Sequence, residues 1–228
     1  MQTVTVTPLS TTQERRLVEF LDEQFLELTR EYKKRSIPHD SSAPHELTRS
    51  VLWEDRSHPS STLTTLSAYL EASHHVLNLI LQIPPIDPSA SLRSTLLLRL
   101  SGEVFNSVPG YTPDEKSLPI LLDWLQDLDR GWLAVLRSQA WDLETRSGIN
   151  VRLPDEARSG SLSQTERIRL KSLLVTGMEM FEEWVELLQA QLGEEETQNA
   201  ETTQAERFGD LFSCALTEMG LLRGEFSV

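Results

Sequence analysis

The chain has 228 residues, 39% apolar and 25% charged, with a net charge of −14 at pH 7. That composition supplies a core and excludes disorder throughout, while the acidity opposes broad contact with phosphate backbones. A single cysteine, Cys214, excludes an internal disulfide and fits a reducing compartment, cytosol or nucleus.

Residues 1–9 alternate Val and Thr before Pro8 and read as a flexible N-terminal arm rather than a strand. Ser10 or Thr11 caps a first helix to about Arg35, with Thr11 and Glu14 as a capping box. Its stripe is Val18, Leu21, Phe25, Leu28 and Tyr32. Residues 36–46 are loop by composition, and 46–56 form a short helix with Leu47, Val51 and Leu52 inward. Ser61 caps the next helix, to about residue 83, where Pro84 and Pro85 break it. A helix at about 89–107 follows, then one from Thr112 to about Asp142, interrupted near Pro119. The latter carries the strongest stripe: Leu118, Leu121, Leu125, Leu128, Trp132 and Val135.

Residues 143–162 read as a polar loop, long enough to be functional or disordered. Ser163 and Glu166 form a capping box before a helix at about 164–192, striped by Leu170, Leu174, Gly177, Phe181, Trp184 and Leu188. GEEETQNAET at 193–202 is an acidic linker. A last helix covers about 203–222, with Phe208, Phe212, Ala215, Met219 and Leu222 on one face. The expected fold is all-α: an antiparallel bundle of six or seven helices. Residues 10–192 form the bundle, and the 203–228 segment packs on it after the linker.

Reactive motifs are weak. Glu71 and His74 have metal-ligand spacing on one helical face, but a di-metal bundle needs a second such pair, and none exists. Asp123 and Asp127 share a face without the paired aspartates of a magnesium–diphosphate site, so they read as a solvated face. Cys214 has no neighbouring base and reads as a small core residue. Phosphate-binding glycine loops and zinc arrays are missing from the sequence. Gly131 and Gly177 sit in helices as structural residues, Gly177 admitting close approach or a large side chain from a facing helix. The expectation is no catalytic residue, no metal and no cofactor.

Partner binding is the remaining reading. Arg30, Lys33, Lys34 and Arg35 close the first helix, where cations favour the helix C-terminus or dock an acidic partner. Trp53, Trp124 and Trp141 lie beside or outside the stripes and are candidate hot spots. Residues 146–175 carry six basic residues against three acids, and residues 176–228 carry twelve acids against two arginines. That contrast suggests an acidic linker folding over Arg167, Arg169 and Lys171. The sequence points to a non-enzymatic interaction or scaffold subunit, cytoplasmic or nuclear, that binds other proteins. Membrane insertion is not expected, since no run approaches the ~18 apolar residues of a span, and the N-terminus lacks signal-peptide character. Nucleic-acid binding is unexpected. The alternatives are a helical enzyme or carrier with an interhelical pocket, and an adaptor using basic zones 30–35 and 146–171 on nucleic acid or anionic lipid.

Overall fold

The computed structural model describes residues 4–35, 63–114, 116–152, 160–192 and 210–220. Of these, 71% are helical. The long helices are α1 (Thr11–Lys34), α2 (Leu66–Leu81), α3 (Ser89–Ser107), α4 (Ser117–Leu136) and α5 (Gln164–Leu192), with a six-residue α6 (Ser213–Glu218). The short helix expected at 46–56 and the acidic linker at 193–202 lie outside the described residues.

Helix α4 is the axis. It packs against α2, α3 and α6 and against a small hairpin, while α5 lies on α3 and α1 on α2 and α3. Its whole predicted stripe is buried, and Leu118, Leu121, Leu125, Leu128 and Trp132 are fully enclosed. Phe181 and Trp184 of α5 are equally inaccessible. The Trp132 indole N–H donates to Ser101 Oγ at 3.2 Å and that of Trp184 to the Tyr111 carbonyl at 2.9 Å, so both rings are anchored at their polar edges. Gly177 faces the Phe105 ring, where an added Cβ would lie 2.5 Å from a ring carbon. Phe105 in turn meets Phe181 edge-on, with centroids 5.2 Å apart.

The helix starts follow local chemistry. Ser10, not Thr11, caps α1, accepting from the Gln13 N–H while Gln13 Oε1 accepts from the Ser10 N–H. Thr65 caps α2, four residues later than the sequence suggests. The Ser163–Glu166 box forms as expected. Helix α4 opens at Ser117, where Asp114 Oδ1 accepts from the Lys116 and Ser117 N–H groups.

The β content departs from an all-α reading. Helix α4 stops at Leu136 rather than near Asp142. Ser138 takes a left-handed conformation at φ 53°, and Gln139 N–H reaches back to the Ala134 carbonyl at 2.8 Å. That is a Schellman ending with serine where glycine is usual. The chain then forms an antiparallel hairpin of β2 (Ala140–Asp142), in the end of the expected helix, and β3 (Ser147–Ile149), in the segment read as loop. The Asp142 carboxylate closes its turn by accepting from Glu144 N–H and Thr145 Oγ1. Next, β4 (Val151–Arg152) pairs in parallel with β1 (Val4–Thr5), so two residues of the supposed arm join a ladder.

Leu128→Ala should cost roughly 2–5 kcal/mol, as for other fully enclosed leucines. Gly177→Ala should cost roughly 1–3 kcal/mol through overpacking on Phe105. Urea denaturation of both variants checks the two values, and a loss below about 0.5 kcal/mol at Leu128 would place α4 wrongly.

Candidate functional site

The cationic end of α1 divides into two kinds of residue. Arg35 is structural: its guanidinium lies 3.6 Å from the Tyr32 ring centroid and 4.8 Å from that of Tyr111. It donates to the Tyr32 carbonyl, as a cation at a helix C-terminus should, and to the Gly110 carbonyl at 2.8 Å. Tyr32, Tyr69 and Tyr111 form a ring cluster with centroids 5.7–6.0 Å apart. Burial pushes the Tyr111 hydroxyl up to about 12. Gly110 is required there, because a Cβ would sit 2.1 Å from both Arg35 Nη2 and Tyr32 Oη. Lys34 pairs with Glu31 Oε1. Arg30 stays exposed, 3.9 Å from Glu23, and Lys33 is exposed.

The tryptophans lie differently from the hot-spot expectation. Trp124 is 3% exposed and Trp141 6%, so both rings belong to the core, not to an open groove. Each keeps a buried indole N–H without a hydrogen-bond partner among the described residues. Trp53 lies outside the described residues.

Of the two aspartates read as a solvated face, Asp123 is exposed and Asp127 is buried. Asp127, 2% exposed, accepts from His74 Nε2 at 2.9 Å and from Arg146 Nη1 at 3.0 Å. Asn78 approaches His74 Nδ1 at 3.3 Å, and Arg146 also reaches Asp123 at 3.1 Å. The aspartates therefore raise the Arg146 pKa, Asp127 most. His74 and Asp127, weighed separately as metal ligands in the sequence, instead meet across the α2–α4 interface. Among the described residues, no three His, Cys, Asp or Glu side chains are placed to share a metal ion. Asp129 accepts from the Ala215 N–H at 2.9 Å and the Cys214 N–H at 3.2 Å, tethering α6. Burial pushes its carboxyl up, against those two donors. Arg137 adds an ion pair to Glu218 at 2.8 Å. Cys214 is exposed, contrary to its reading as core, because α6 turns it outward beside Asp129. Partial burial, then the nearby Asp129 charge, raise its thiol pKa.

Arg93 escaped sequence reasoning. It is 1% exposed, donates to the Gln139 carbonyl at 2.7 Å and leaves Nε and Nη2 without partners among the described residues. Burial lowers its pKa to about 10. Only its place inside the α3 apolar run, between Leu92 and Leu96, could have marked it.

Among the described residues the buried polar groups thus join elements to one another, with no convergent reactive set. A family model described as subunit 11 of the general transcription factor TFIIH matches residues 61–213, two-thirds of the chain. The chain belongs to this TFB6 family. The matched stretch runs from before α2 to the first residue of α6, so α2–α5 and the hairpin lie within it, while α1 and the rest of α6 lie outside. No curated protein and no solved structure matches the chain significantly. TFB6 membership supports the expectation of a complex subunit and favours the nucleus over the cytoplasm. No helix among the described residues is long and apolar enough to cross a membrane.

Asp127→Asn should destabilise by roughly 1–3 kcal/mol, because Arg146 and His74 lose a buried charged acceptor. Arg146→Gln should cost less than about 1 kcal/mol, since half of that side chain is in water. Thermal denaturation ranks the two, and hydrogen exchange in the hairpin should quicken in both. The raised Cys214 pKa leaves less thiolate at neutral pH, so iodoacetamide should alkylate Cys214 more slowly than free cysteine. Asp129→Asn should speed that alkylation, and an unchanged rate would remove the aspartate from the account.

Proposed function

We propose that this chain is a non-enzymatic, helical interaction subunit of a nuclear complex of the TFIIH type. The observation that carries the reading is the family match across α2–α5. The polar residues intruding on the helix stripes support it. Ser73 donates to the Leu70 carbonyl, Ser94 to Glu166, and Gln139 to Asn150. Each group is used within the fold, which weakens the reading of an interhelical catalytic pocket. In this proposal the antiparallel helices are a rigid body and the partner contacts lie on its outside. Arg30 and Lys33 are the outward members of the basic stretch and are kept as contacts for an acidic partner surface. Trp53 is retained as a candidate contact on sequence grounds.

The test is affinity purification of the tagged chain from its native host, with quantitative mass spectrometry. The expected outcome is near-stoichiometric recovery of general transcription factor subunits that survives ~0.3 M salt, where exposed charge pairs are largely screened. Recovery of a monomer with a bound small molecule would sink the proposal.

A further inference from the structure

Helices α1 and α2 leave a groove of about 330 Å³ between them. Its apolar lining comes from Leu28, Leu63 and Val76, its acidic lining from Glu27, Glu31 and Glu71. Glu27 and Glu31 are one turn apart on α1, and Glu71 faces them from α2. Glu27 and Glu71 are exposed at the mouth, while Glu31 is 8% exposed. Lys34 occupies Glu31 Oε1, and Oε2 is buried with no hydrogen-bond partner among the described residues. Among the described residues no cation pairs with Glu27 or Glu71. A buried carboxylate compensated by a single ammonium adds negative potential beneath the two exposed ones, so the groove favours a cation at its mouth.

We propose that this groove is a docking site for a basic side chain, arginine above all, carried on an amphipathic helical segment of another protein subunit. The chemistry matches at both ends. The methylene stem of arginine lies along Leu28, Leu63 and Val76, and its guanidinium fork sits at the mouth against Glu27 and Glu71, above the buried Glu31 carboxylate. A bare metal ion is the poorer occupant, because no three ligating side chains are placed to share one among the described residues. Charge complementarity names the partner: three carboxylates stand against one ammonium, Lys34, and one imidazole, His75. This inference rests on the proposed subunit role, and it locates one contact of that role on α1, outside the family match, and α2, inside it.

The probe is a fluorescein-labelled amphipathic helical peptide with leucines on one face flanked by arginines, compared with its arginine-to-glutamine counterpart. Fluorescence anisotropy with the full chain should show at least about tenfold tighter binding of the arginine peptide at low salt, shrinking near ~0.5 M. E27Q/E71Q should remove most of that preference. E31Q should reduce it several-fold, and the first variant leaves the buried position untouched if E31Q alters folding, which circular dichroism reports. Equal binding of the two peptides, no binding by either, or an unchanged preference in both variants would overturn the proposal. So would affinity appearing only after Arg49→Gln and Arg56→Gln, which would give the groove to this chain's own segment. Loss of the groove leaves the subunit reading standing, because co-purification reports that reading separately.

Discussion

A carboxylate removed from water is tolerated only where charges or hydrogen bonds replace its hydration shell, and α4 imposes this requirement twice. Asp127 meets it with His74 from α2 and Arg146 from the hairpin. Asp129 meets it with two backbone N–H groups at the start of α6. These residues stand two apart, so they leave the helix in different directions and gather different parts of the chain. The Leu/Trp stripe of α4 makes the core. Its aspartates decide which elements close over the remaining sides.

Much of the architecture is written in helical spacing. The stripes of α1, α4 and α5 predict the enclosed residues, and the clean Ser163–Glu166 box places the start of α5 correctly. Gly177 reads as a socket for a neighbour, and Phe105 fills it. These signals are legible because they depend on side chains three or four positions apart on one helix, a distance within any sequence window.

What was missed depends on residues far apart in the chain. Asp127 looks solvated when its helix is viewed alone, since its partners stand 53 positions earlier and 19 later. The end of α4 hides behind Ser138 in a position where glycine would have been conspicuous. The β pairs are two or three residues long, too short for alternation to register. Trp124 and Trp141 look peripheral because they fall off the main stripe, yet α4 is covered on more than one face. For the same reason the α1–α2 groove was invisible: Glu27, Glu31 and Glu71 are ordinary surface glutamates until two helices bring them together.

The ladder between Val4–Thr5 and Val151–Arg152 bears on how the molecule is made. Its two strands are separated by most of the chain. During synthesis the first strand emerges long before its mate exists, whereas α2, α3 and α4 follow one another closely and can pair as they leave the ribosome. The chain's beginning is therefore among the last pieces to be fastened. It closes over helices already assembled, at the added entropic cost of a long loop.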